Sequence, residues 1–135
     1  MNTIEVRGEI AAPSAAVWAQ LGDFGGVATW NPFVEHVVVD GDGIGMTRTI
    51  TARGGARIVE RLEHLDHERR HLRYAVRLES GAESVADIRL EEAGAGATTV
   101  VWQSIRAEAI GADQQEAVTR TLSSRIEALA QALAA

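Results

Sequence analysis

Arg48, Glu60 and Tyr74, the last being the chain's single tyrosine, combine a permanently charged fork of donors, a carboxylate and a phenol. Gathered in an apolar pocket, the guanidinium and phenol would orient a substrate carbonyl and stabilise enolate charge. Glu60 would then move a proton, as intramolecular aldol chemistry needs. The bland reading of the same three groups comes first: arginine and carboxylate buried together offset each other's desolvation, giving a structural ion pair capped by a tyrosine hydroxyl. Around them, Trp30, Phe33 and Trp102 are the aromatic candidates for a pocket wall, with Asn31 and Ser104 as polar contacts. Large aromatics are more often plain core, and Trp18 is read that way.

Other groupings imitate chemistry. His64, His67 and His71 with Glu63, Asp66 and Glu68 suggest a metal cluster, but they straddle a hairpin, so their side chains should diverge, and a solvated turn is expected. Asp40-Gly41-Asp42-Gly43-Ile44-Gly45 has the glycines of a dinucleotide loop, yet a strand follows where a helix N-terminus is needed. It also begins like a calcium loop, with Thr51 where the bidentate glutamate belongs. No serine nucleophile with a histidine and an acid can be argued from spacing. Neither metal nor redox cofactor is expected.

The elements that must position these groups follow from hydrophobic periodicity. Thr3 to Ile10 alternates as a half-buried strand, and Pro13 opens a short helix with Val17, Trp18 and Leu21 on one face. Gly22, Gly25 and Gly26 interrupt it, and a second short helix, Val27 to Trp30, ends at Pro32. Phe33 to Asp40, Met46 to Ala52, Ala56 to Leu65, Arg70 to Glu79, Ser84 to Glu91 and Thr98 to Arg106 read as strands. From Gly111 to Ala135, Val118, Leu122, Ile126, Leu129 and Leu133 form one apolar stripe, with Arg120 and Ser123 on the opposite side. Asp113 and Glu116 give it a capping-box-like start, and about 20 residues would span roughly 30 Å, near the width of the whole sheet. The class is therefore α+β, a curved seven-stranded antiparallel sheet wrapped around a long C-terminal helix, with two short helices between the first two strands.

Strand faces decide whether the polar trio meets. Met46, Arg48 and Ile50 share one side of their strand, and Ile58, Glu60 and Leu62 one side of the next. A two-residue turn at Gly54-Gly55 would set these rows on opposite faces; a three-residue loop, Arg53-Gly54-Gly55, places Arg48 across from Glu60. With Asp66, His67 and Glu68 as the following loop, Tyr74 is expected opposite Glu60, with Leu72, Val76 and Leu78 inward.

Whole-chain features narrow the classes. A chain of 135 residues is one domain with a sizeable core. It contains no cysteine, which excludes disulfides and thiolate chemistry. A net charge of −6 and arginines dispersed among carboxylates argue against nucleic acid as a partner. Neither a secretory leader nor a run of about 18 apolar residues is found, so a soluble, cytoplasmic protein is expected.

Several signatures, taken in order, resemble the START-related, birch-pollen-allergen-like superfamily, and within it the bacterial polyketide cyclase/dehydrase branch of SRPBCC proteins. They are Ile10-Ala11-Ala12-Pro13 with Val17-Trp18, Asp23-Phe24, Trp30-Asn31-Pro32, Gly45 with Arg48, Glu60-Arg61-Leu62-Glu63 with Asp66, Tyr74, and Val101-Trp102. The resemblance implies a helix-grip fold whose cavity, between sheet and helix, takes an apolar small molecule, with Trp30 at the mouth. Trp102 should face that cavity from the last strand, and Leu122 and Ile126 from the helix. Three functions follow: a cofactor-free cyclase or dehydratase of a polyketide-like substrate, a carrier of a hydrophobic ligand, or a regulatory module acting on a partner protein through its outer face. A monomer and a homodimer are both compatible with the sequence.

Overall fold

The computed structural model describes residues 2–134. In chain order these form β1 (Asn2–Ile10), α1 (Ser14–Leu21), a 3-10 helix (Phe24–Thr29), β2 (Val34–Asp40), β3 (Thr47–Ala52), β4 (Arg57–Asp66), β5 (His71–Leu78), β6 (Glu83–Glu92), β7 (Thr98–Arg106) and α2 (Ala112–Ala134). The strands make one antiparallel sheet in the order β1-β7-β6-β5-β4-β3-β2, curved around the terminal helix: the helix-grip architecture. Its logic is that of an amphipathic sheet and an amphipathic helix covering each other's apolar sides. Leu62, Leu72, Ile88, Val100 and Trp102 project from the sheet toward Leu122, Ile126 and Leu129 of α2. Each such side chain, fully buried, stabilises the fold by roughly 1.5–3 kcal/mol.

The two hairpins that carry the polar trio differ in how they turn. Between β3 and β4, the Ala52 N–H donates to the Ala56 carbonyl at 2.8 Å, enclosing Arg53-Gly54-Gly55. Gly54 and Gly55 have φ of +98° and +96°, a left-handed conformation that a side chain would strain. Arg48 consequently pairs with Glu60, as the three-residue loop requires. The β4–β5 turn corrects the expectation. Asp66 pairs with His71, and its carboxylate accepts N–H bonds from Glu68 at 3.1 Å and Arg69 at 2.9 Å, which lengthens the turn. A bulge around Glu63 takes up one residue of the difference. Tyr74 therefore lies opposite Leu62, and Val76 opposite Glu60. The net slip at Glu60 and Tyr74 is even, so both keep their face, while beyond the bulge it is odd and Leu65 turns to the core; Leu78, expected inward, sits on the rim and is exposed.

Three further expectations are revised. The helical segment starts earlier, at Phe24, with Gly26 N–H on the Asp23 carbonyl at 3.0 Å, but it is kinked at Gly26, whose φ of −92° and ψ of 18° are not helical, so the turn from Val27 onward does follow a glycine break. Asp113 lies within the first turn of α2 rather than ahead of it, where it favours the helix through the positive N-terminal dipole. Finally, α2 does not cross the full sheet. It packs chiefly on β1, and also on α1 and β7, so the concave face of β3–β5 is left without α2 directly upon it. Gly8 permits this docking: a Cβ there would lie 2.7 Å from Cγ2 of Ile126.

Candidate functional site

The uncovered part of the concave face is a cavity of about 530 Å³ between the sheet, the 3-10 helix and the N-terminal half of α2. Alternation along three neighbouring strands delivers Arg48, Glu60 and Tyr74 to its wall, at 5%, 3% and 2% exposure. The Arg48 Nε donates to Glu60 Oε1 at 2.8 Å, and Nη1 donates to the Phe24 carbonyl at 2.7 Å. The guanidinium lies 3.8 Å from the Phe24 ring centroid and 4.8 Å from that of Tyr74. The arginine is thus held by a carboxylate, a carbonyl and two aromatic faces. One consequence is structural: it ties the 3-10 helix, and with it Trp30 and Asn31, to the sheet. Burial, reinforced by the negative charge of Glu60 and opposed by Arg48 and Arg125, pushes the Tyr74 phenol up to about 12. At neutral pH Tyr74 is a neutral hydrogen-bonding group and no base.

The aromatic candidates gather on the same hollow. Trp30 follows the 3-10 helix directly, with its N–H on the Val27 carbonyl at 3.3 Å, and its buried ring lines the wall. Asn31 lines it too, although its Oδ1 is occupied by the Phe33 N–H at 3.0 Å and so shapes the turn. Phe33, 54% exposed, stands at the mouth. Trp102 closes the far end and is shared with a smaller adjoining chamber of about 250 Å³. Ser104 and Leu122 line that second chamber instead of the first. Ile126 lines neither chamber; it is spent in the contact with Gly8.

Sequence reasoning missed the polar side of α2. Ala117, Arg120, Thr121, Ser124 and Arg125 all line the main cavity, and Arg120 does so although it was expected on the opposite side. Their spacing of three and four residues was a usable signal: a second stripe runs beside the apolar one, turned toward the hollow where α2 leaves the sheet. Arg106, inward on β7 by the same alternation as Trp102 and Ser104, was also missed and lines the smaller chamber.

The histidine-rich turn also differs from expectation. The rings of His64 and His71 approach to 4.8 Å, instead of diverging, and His71 Nε2 lies 2.9 Å from Asp87 Oδ2. His67 Nδ1 accepts the indole N–H of Trp18 at 2.9 Å, fastening α1 to the β4–β5 turn. Among the described residues no three or more His, Asp or Glu side chains are placed to share a metal ion. No described helix is long and apolar enough to cross a membrane.

Residues 1–135 match the family described as polyketide cyclase / dehydrase and lipid transport. The chain belongs to that family. Solved structures similar to this member of the family share its architecture along nearly the whole of the chain. An uncharacterised protein from Bacillus thuringiensis superposes with a TM-score of 0.84 at 20% identity, covering 99% of this chain and 100% of the other. DynU16, from the dynemicin biosynthetic locus, gives 0.81 at 21% identity, covering 98% of this chain and 47% of its own. Ara h 8.0201 gives 0.80 at 14% identity, covering 98% and 97%. At these identities the likeness is one of fold. No curated protein sequence matches this member of the family.

Proposed function

We propose that this protein binds an apolar or aromatic small molecule in the cavity beneath α2. The observation that carries the reading is the cavity itself, about 530 Å³ and open at Phe33, with an ion pair and a phenol set into otherwise largely apolar walls. Pockets that orient ligands have this composition: much apolar surface and few polar groups. Family membership supports the same reading, since the family's description joins cyclase and dehydratase chemistry to lipid transport. An open interior is also less suited to a module acting solely through its outer face.

The finer reading is catalytic. A polyketide-like substrate folded against Trp30 and Trp102 would place a carbonyl near the Tyr74 hydroxyl, and Glu60 would carry a proton during cyclisation or dehydration. Non-catalytic carriage is the second reading, favoured by the fact that two donors of Arg48 are already committed to Glu60 and Phe24. Extraction of the purified protein followed by mass spectrometry should recover an apolar compound, and polycyclic aromatics should quench tryptophan fluorescence saturably. A protein that copurifies with nothing and saturates with no member of such a panel would overturn the pocket reading. Turnover of a poly-β-keto aromatic precursor, lost in Glu60→Gln with binding retained, would separate enzyme from carrier.

A further inference from the structure

The smaller chamber adjoins the main cavity, with Trp102, Ala117, Thr121 and Arg125 in the walls of both. Two guanidinium groups line it, Arg106 from β7 and Arg125 from α2. Most arginines in this acidic chain are neutralised by a carboxylate, but among the described residues neither of these forms an ion pair. The Nε of Arg106 is buried with no hydrogen-bond partner, as is the indole Nε1 of Trp102. Arg125 itself lies over the Trp102 ring, 5.9 Å from the centroid. The acid in this chamber's wall, Glu83, is committed elsewhere: its Oε1 accepts both Nη2 and Nε of Arg77, at 2.6 and 3.0 Å.

Native structures seldom leave buried donors such as the Nε of Arg106 and the Nε1 of Trp102 without acceptors, and here both residues line a chamber that also holds a second, partly buried guanidinium. The one carboxylate among the lining residues, Glu83, is paired with Arg77 rather than with either of these arginines. We propose that this chamber is an anion subsite, in which Arg106 and Arg125 hold the carboxylate of an amphipathic organic acid whose apolar body lies past Trp102 in the main cavity. The planar fork of arginine matches a carboxylate with two parallel bonds, and Trp102 offers a face for an aromatic or alkyl body. The inference rests on the pocket reading above and narrows it to acids.

Matched pairs of probes test it: 2-naphthoic acid against 2-naphthamide, and decanoic acid against decanamide, each titrated calorimetrically at neutral pH. At least one acid should bind about tenfold tighter than its amide, the scale of a charge-assisted bond. Arg106→Gln and Arg125→Gln should each bring the ratio of acid to amide affinity down toward one, and Arg125→Lys should retain part of the preference. Arg125 is partly exposed on a helix, so its variants carry the test if the β7 variant does not fold. Acid and amide binding equally would overturn the subsite and leave the pocket reading standing. A preference that survives both glutamine variants would overturn the assignment to these arginines. Tighter binding of 2-naphthyl phosphate than of 2-naphthoic acid would overturn the carboxylate as the group held. Failure of every acid and every amide to bind would overturn the subsite and the pocket together.

Discussion

Tyr74 is the residue where environment departs furthest from ordinary behaviour, and as the single tyrosine it can be watched alone. Alkaline titration of tyrosinate absorbance should show folded protein ionising near pH 12 and denatured protein near pH 10. Because the folded value is the higher one, the native state loses stability as pH rises from about 10 to about 12, by roughly 2–3 kcal/mol in total. Tyr74→Phe should abolish that slope, weaken ligand binding and leave the fold intact; unchanged binding would remove the phenol from the site. Its neighbours answer a different question. Glu60→Gln leaves Arg48 buried without its counter-charge and should cost about 3 kcal/mol in denaturant unfolding. Replacing both, as Arg48→Met with Glu60→Leu, should recover much of that loss. A pair kept for structure would show recovery with ligand binding retained, whereas a pair that works on substrate would recover stability and lose function.

At the scale of elements, the decisive contact is between β1 and α2. The missing Cβ of Gly8 lets Ile126 reach the strand, which anchors the helix at one side of the sheet and tilts its polar stripe over the hollow. Gly8→Ala should therefore destabilise by about 1–2 kcal/mol through overpacking. In the background of Ile126→Ala the same change should cost nearly nothing, a coupling that a double-mutant cycle measures. Equal costs in both backgrounds would mean that α2 is held elsewhere. The β3–β4 and β4–β5 hairpins illustrate how turns set a site: an odd change of register would have sent Arg48 or Tyr74 to water. The observed slip at Tyr74 is even, so its distance along the strand changed and its face did not.

For the molecule as a whole, a hollow beneath a helix that reaches across only part of its sheet means that stability and ligand occupancy are linked. A ligand at a hundred times its Kd should raise stability by about 2.7 kcal/mol and the thermal midpoint by several degrees. Differential scanning calorimetry with increasing ligand should show that rise; an unmoved midpoint under saturating ligand would mean that the native state is not bound in preference to the unfolded chain. The charge distribution acts at this scale too. The chain is acidic overall, yet three arginines and one glutamate line the main cavity, a local reversal that favours anions inside and repels them outside.

Element order, the inward rows of β3 and β4, and the three-residue loop were legible in the sequence because periodicity, glycine placement and strand parity are local properties. The pairing of Tyr74 was not, because it depended on the Asp66 carboxylate recruiting two backbone N–H groups and on a bulge at Glu63, neither of which leaves a periodic trace. The same holds for α2. Its apolar stripe is written in side-chain spacing, but which way its polar stripe faces depends on where the helix lands, and that was decided by the close approach of Ile126 to Gly8, more than a hundred residues apart in the chain. Local sequence is enough to specify strands and their faces; the hollow, and the arginines that look into it, exist only once distant surfaces have met.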